Sequence, residues 1–354
     1  MKFNVSNLLE KIVDAGASDL HLTVGGPPIV RINRTLSAID GFSDLTLEDL
    51  QFFLSQVLTQ EQQDLLELNR EVDFSVALGD KARFRVNAFY QRGYPAVAMR
   101  TIPSKIPALD SLNLPTTLDA LTEIRQGLVL VVGPTGHGKS TTLAAMIDKI
   151  NQTRSEHIIT VEDPIEYMFS NKKSVIAQRE MYLDTHSWDV SLRSMLRQDP
   201  DVVLIGEMRD HETMKSALTI AETGHLVFAT LHTNSAAQTI DRIVDSFPEI
   251  QQKTIRLQLS QVLEAVISIR LLHSKDGKLH PATELLLASD AARSLIREGK
   301  SHQLDNVIST SGHIGMYSLE QSLAELVNGE KIGLDEALRA CNRPDILRRL
   351  VKGK

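Results

Sequence analysis

Apolar residues in the second part of the chain gather in short runs: Leu128–Val132, His157–Val161, Val202–Ile205 and Leu226–Thr230. Runs with little polar alternation suit strands covered on both faces, and each is followed by a stretch of helical period or a polar loop. Strands alternating with helices predict a parallel α/β sheet. The first hundred residues read differently. Asn4–Ala15 has helical spacing, and Asp19–Val24 and Ile29–Ile32 are strand-like on either side of Gly25-Gly26-Pro27-Pro28. Leu45–Leu68 reads as one or two helices, with Thr46 and Thr59 placed as caps. Val72–Leu78, Ala82–Tyr90 and Pro95–Thr101, separated by turns at Gly79-Asp80 and Gln91-Arg92-Gly93, predict an antiparallel meander. Within it Phe84, Val86 and Ala88 share one face, Arg83, Arg85 and Asn87 the other, and Arg100 ends the next strand. On alternation alone these arginines read as a solvated face. Residues 102–115 contain Pro103, Pro107 and Pro115 with no period. The expected organisation is a small mixed α+β domain over 1–101, a linker over 102–115, and a parallel-sheet α/β domain over 116–354 that is mostly helical from about Leu257 onward.

Chemistry enters at the strand ends. Gly133, Pro134, Thr135, Gly136, His137, Gly138, Lys139, Ser140 and Thr141 follow the first apolar run and open a helical stretch, and Gly133, Gly138, Lys139 and Ser140 fit G-x-x-x-x-G-K-[ST]. Glycines let the backbone wrap a phosphate chain, its N–H groups form an anion nest, and the helix N-terminus adds partial positive charge. Lys139 is placed to reach the β- and γ-phosphates and Ser140 to hold Mg²⁺. The second run leads into Glu162-Asp163-Pro164-Ile165-Glu166. Clustered carboxylates repel one another unless a cation or water network intervenes. They read either as a solvated loop or as the group that orients or deprotonates an attacking water, with Glu166 the candidate. The third run ends in Gly206-Glu207-Met208-Arg209-Asp210, which puts Glu207 at the Mg²⁺ shell, while Asp201 begins the strand at the far end and reads as structural. The fourth is flanked by His225 and followed by Leu231-His232-Thr233-Asn234. His232 is a candidate γ-phosphate sensor or partner of the catalytic carboxylate; His225 remains open between structure and function.

Bulk properties narrow this further. The 354 residues carry a formal net charge of -7, which does not favour nucleic acid as a partner. Cys341 is the sole cysteine, so no disulfide framework or cysteine-based zinc site is available and a reducing compartment is expected. Met1–Leu20 lacks the apolar core of a signal peptide, and no apolar run approaches the ~18 residues of a membrane span.

Taken together, the phosphate loop, the acidic box Ile159–Glu166, the block Leu196–Arg209 and the histidine box Gly224–His232 resemble, in order and spacing, the type IV pilus and type II secretion motor ATPases. The resemblance implies a PAS-like N-terminal domain, a RecA-like ATPase domain with a helical C-terminal part, ATP and Mg²⁺ as ligands, and a homohexameric ring. It also implies that N-terminal arginines approach the phosphates, with Arg83, Arg85 and Arg100 as candidates. Within the family the likeness is to the retraction motors. No long extra N-terminal domain or four-cysteine insertion is seen. Ala291–Glu298 matches the segment A-I-R-N-L-I-R-E of those motors except at Ala292 and Ser294. That implies a cytoplasmic protein at the inner-membrane base of a pilus, working on a membrane platform protein, with a paralogous retraction ATPase as a further candidate partner. His137 departs from the family, which more often has a small residue there.

Overall fold

The computed structural model describes residues 4–32, 35–79, 81–102, 105–274, 277 and 279–351. The chain forms two compact units, Met1–Lys105 with Glu166–Met168, and Ile106–Ile165 with Phe169–Lys354. Pro103, in the expected linker, and Asp80, in the expected turn, lie outside the described residues. Residues 106–115 belong to the second unit, where Leu109 is buried in a short 3-10 turn.

In the first unit, helix α1 (Val5–Asp14) starts at Asn4, whose side chain accepts the Asn7 N–H. Strands β1 (Asp19–Thr23), β2 (Ile29–Ile32) and β3 (Thr35–Ala38) follow. Helices α2 (Leu47–Val57) and α3 (Gln60–Asn69) each open with a capping box, on Thr46 with Asp49 and on Thr59 with Gln62. Strands β4 (Glu71–Leu78), β5 (Ala82–Gln91) and β6 (Tyr94–Ile102) complete an antiparallel sheet of order β3-β2-β1-β6-β5-β4. The meander is as the alternation implied; β3, exposed at every residue, has no apolar face to announce it. Phe84 and Val86 pack with Leu8, Ile12, Leu50 and Phe53 of the helices. The polar face carries a cross-strand row, Arg31↔Asp19↔Arg100↔Arg85↔Ser75.

The second unit begins with α4 (Thr117–Leu121) and β7 (Gly127–Val132), then α5 (Lys139–Thr153), β8 (His157–Glu162), β9 (Val175–Glu180), α6 (Trp188–Met195), β10 (Val202–Ile205), α7 (His211–Glu222) and β11 (Leu226–Leu231). After α8 (Ala236–Asp245) and α9 (Glu249–Val262) come β12 (Leu263–His273) and β13 (Leu279–Leu287). The seven-stranded sheet has the order β13-β12-β7-β11-β10-β8-β9 and is parallel except for β13. The expectation of a mostly helical chain from about Leu257 onward is therefore corrected over 263–273 and 279–287, which pair as antiparallel strands. Their inner residues, Ala265, Val266, Ile267, Leu285 and Leu286 among them, are buried on both faces. Such a run has no strand alternation, so its period does not separate it from a buried helix; pairing of Leu263–Ser268 with Leu128–Val132 decides it. Helices resume with α10 (Asp290–Arg297), α11 (Leu304–Thr310), α12 (Leu319–Asn328), α13 (Leu334–Ala340) and α14 (Pro344–Val351). The last three pack around Leu272 and Ala282. They are tied by Glu320, which is buried and accepts from the Asn342 and Arg343 N–H groups and the Arg343 guanidinium. Among the described residues no helix is long and apolar enough to cross a membrane.

Candidate nucleotide-binding site

The phosphate loop joins β7, buried at every residue, to α5, whose first turn has no side-chain cap. A helix N-terminus directed at a glycine loop is an arrangement that suits an anion. Two glycines are demanded by geometry. Gly133 has φ 145° and a Cβ there would lie 2.3 Å from the Ile269 carbonyl oxygen; Gly138, with φ 86°, lies against the Leu271 side chain. Lys139 Nζ lies within the loop, donating to the Gly133 and Pro134 carbonyls at 2.8 and 3.1 Å.

The other strand ends of this unit converge on that lysine. His232, just past β11, has Nδ1 3.3 Å from Lys139 Nζ and 3.2 Å from Thr135 Oγ1, and Nε2 2.9 Å from Glu207 Oε1. An ammonium can only donate, so Nδ1 accepts and the ring proton sits on Nε2, pointing at Glu207. Glu207 Oε2 accepts from Arg209 Nε at 2.9 Å, and Arg209 Nη1 reaches Asp163 Oδ2 at 3.3 Å. The Glu207 carboxylate beside it holds the Arg209 pKa above its usual value despite partial burial. The turn bearing Glu207 is fixed by Gly206 N–H on Val161, Met208 N–H on Thr230, and Thr230 Oγ1 on the Gly206 carbonyl. One polar chain thus runs from the phosphate loop through β11 and β10 to the end of β8.

The acidic box resolves into separately partnered groups. Glu162 is buried and accepts from Thr160 Oγ1 at 2.7 Å, and Asp163 meets Arg209. Glu166 groups with the first unit, next to Tyr167 and Met168. In that unit Arg83 donates to Ser75 Oγ at 2.5 Å and to Met168 Sδ at 3.8 Å. Arg100 pairs with Asp19 at 3.0 Å. Burial would raise the Asp19 pKa, but the Ser18 hydroxyl and Arg100 outweigh it and lower it. Arg85 is exposed on the same face.

The two remaining candidate histidines take other partners. His225 precedes β11, at the amino end of the strands; its Nδ1 lies 3.0 Å from both the Ile220 carbonyl and Thr223 Oγ1, at the end of α7. The structure does not bring it to the loop: residues 225 and 232 flank opposite ends of β11. His137 sits in the loop, but its ring faces β12, where Nδ1 accepts the Leu271 N–H at 3.0 Å. Asp201, also at the amino end, accepts the His157 N–H at 2.8 Å. Arg209 and Asp163 were not among the candidates, although both lie inside motifs that were. The walls from Ile269 and Leu271 had no signal at all, since they are backbone and packing contacts of a misread segment.

Among the described residues no cluster of three or more His, Cys, Asp or Glu side chains could hold a metal by itself. A hydroxyl, Ser140, and one carboxylate, Glu207, are nonetheless hard oxygen donors of the kind that suits Mg²⁺, which keeps several waters and binds with phosphate.

A glycine loop between a buried parallel strand and a helix, with a lysine inside it and an acid and a histidine on the neighbouring strand ends, defines a phosphate-loop nucleotide hydrolase. The family model for type II/IV secretion system proteins matches residues 2–327, and the chain belongs to that family. It is 43% identical over 342 residues to the type IV pilus retractation ATPase PilT of Pseudomonas aeruginosa, covering 97% of this chain and 99% of that protein. It is 47% identical over 313 residues to a twitching motility protein of Neisseria gonorrhoeae, covering 88% and 83%. A crystal structure of the pilus retraction motor PilT with bound ADP is similar at TM-score 0.92 and 46% identity, covering 98% of this chain and 99% of that one.

Proposed function

We propose that the chain is one subunit of a homohexameric, Mg²⁺-dependent motor at the cytoplasmic face of the inner membrane, working against a pilus platform protein and alongside a paralogous retraction ATPase. Its activity is ATP hydrolysis and its work is retraction of a type IV pilus, the basis of twitching motility. The observation that carries the reading is the chain Lys139–His232–Glu207, which links the phosphate loop to the acid of the neighbouring strand. Lys139 and the loop N–H groups neutralise the phosphates, and Ser140 and Glu207 hold the metal. Mg²⁺, when bound with ATP, offsets the charge that develops on the phosphoryl oxygens. His232, with its proton fixed on Nε2, offers Nδ1 as a detector of what Lys139 contacts. Glu166 orients or deprotonates the attacking water. Arg83, Arg85 and Arg100 supply guanidinium charge to the phosphates, a task suited to their planar fork. Arg85, exposed, is the first of the three to test.

Deleting the gene in its host and counting surface pili tests the assignment. Excess pili with lost twitching support retraction. Bald cells mean an extension or secretion motor, and unchanged pili with normal twitching mean an accessory paralogue or a nucleotide-gated ring. Steady-state hydrolysis by the purified chain should not respond to DNA.

A further inference from the structure

We infer that His137 is a positioning residue of the phosphate loop: its neutral imidazole pins the crown of the loop to β12 and thereby sets how tightly phosphates are held. This rests on the nucleotide reading above. Strand β12 pairs with β7 only as far as Ser268↔Val132 but continues to His273. Past that point the chain beside β12 is no longer a strand but the phosphate loop. Three contacts follow over Ile269–Leu271. The Ile269 carbonyl walls Gly133 at the start of the loop, and the Leu271 side chain walls Gly138 at its end. Between them the Leu271 N–H, which has lost its place in the β7 ladder, donates to His137 Nδ1 at 3.0 Å. The glycine contacts are steric and only limit how close the loop can come. The imidazole adds an attractive one, and it satisfies a backbone donor that would otherwise be left wanting.

Only a ring with a bare Nδ1 can accept that bond. The surroundings favour that form: burial, then Lys139, then Arg270 lower the His137 pKa below its ordinary value. Arg270 is itself held in place, donating to the Ala340 carbonyl, to Asn342 Oδ1 at 2.7 Å and to the Asn234 carbonyl at 3.4 Å. Residues 270 and 271 of one strand therefore brace both polar loops of the site, the phosphate loop through His137 and the segment after His232 through Asn234.

A loop already held in shape loses less freedom when nucleotide arrives, so the brace acts on affinity. Once nucleotide is bound, the loop has the same geometry with or without it, and the chemical step is little changed. The experiment uses the full chain and ADP as probe, with calorimetric Kd for ADP and kcat and KM for ATP measured on wild type, His137→Ala, His137→Asn and His137→Gln. Asparagine places Oδ1 where the ring places Nδ1; glutamine carries its oxygen one bond too far. Alanine is expected to weaken ADP binding about fivefold, the factor one neutral hydrogen bond supports, with a matching rise in KM. The change in kcat should stay under about twofold. Asparagine should restore affinity and glutamine should not. Alanine binding ADP as wild type does, or asparagine no better than glutamine, overturns the proposal. If the alanine variant does not fold, the asparagine–glutamine comparison decides alone. Wild-type protein that binds no ADP removes the nucleotide reading itself, and this inference with it.

Discussion

Replacing Glu207 with glutamine separates the roles at the site most cleanly. Glu207 gives one oxygen to each of two donors, Oε1 to His232 Nε2 and Oε2 to Arg209 Nε, both at 2.9 Å. An amide has one oxygen, so whichever donor it keeps, its NH₂ group faces the other. One charge-assisted bond is lost, about 1.5–3 kcal/mol if buried. The Arg209 side chain is 55% exposed, so water solvates the released guanidinium and the folding cost falls to about 1 kcal/mol or less. In a unit of this size that is a melting shift of about 2–4 °C. If Glu207 holds the metal as proposed, the cost to catalysis is larger: about 10²–10³ in kcat. On the same proposal ADP binding rests on the loop and Lys139, and it should stay within about threefold of wild type. Phosphate release, melting and ADP titration on one preparation give all three quantities. Near-normal hydrolysis by folded Glu207→Gln refutes a role in the chemistry. Joint loss of ADP binding and turnover would mean instead that Glu207 acts by holding His232 and the loop. Glu166→Gln is the companion variant, expected to bind ATP and not turn it over; if it hydrolyses normally while Glu207→Gln is dead, water activation belongs to Glu207.

Lys139→Ala should abolish hydrolysis, a loss of about 3–4 kcal/mol of transition-state stabilisation, and normal turnover in a folded variant would count against the loop assignment. Glu284, buried on β13 with one oxygen on the Ala236 N–H, has its pKa raised by burial from 4.5 to about 7, with Asp305 and Glu320 adding to the rise and Arg343 opposing it. The folded state then binds more protons than the unfolded between those values, so stability falls as pH rises through that window, by about 3 kcal/mol at most. Glu284→Gln should flatten that slope in melting curves taken across the window; an unchanged slope removes Glu284 as its source. On α10, Ile296 and Ala292 are buried and Arg293 is bound to the Ser260 and Gln261 carbonyls and Glu264, whereas Arg297 is exposed. Arg297→Glu should therefore leave folding and hydrolysis near wild type and abolish twitching, while Leu295→Ser, which touches the core, should also lower the melting temperature.

Much of the site could be read directly because local chemistry dictates it. A phosphate loop needs a buried strand before it, glycines within it and a helix after it, all within some twenty residues of chain, so Gly133–Thr141 announce themselves. The acids and the histidine were legible for the same reason: Glu207 and His232 directly follow apolar strands whose parallel order brings their carboxyl ends together. The capping boxes at Thr46 and Thr59 were equally local. Polarity of the strands, on the other hand, decides which end a residue occupies, and that separated His225 from His232.

What the sequence by itself determined is the class of chemistry and the parallel sheet that bears it, since both depend on short-range patterns of residue type. Tertiary structure alone decided how those groups act on one another. Strand β12 shows why: buried on both faces through most of its length, it has no periodicity to betray it, and its pairing with β7 arises from a partner more than a hundred residues away. Only once that strand is in place does Gly133 meet Ile269, Gly138 meet Leu271, and His137 turn from the phosphate side to a backbone N–H. The proton position on His232 is likewise a property of neighbours drawn from two other elements, Lys139 at the start of α5 on one side and Glu207 after β10 on the other, which no local pattern of residues encodes.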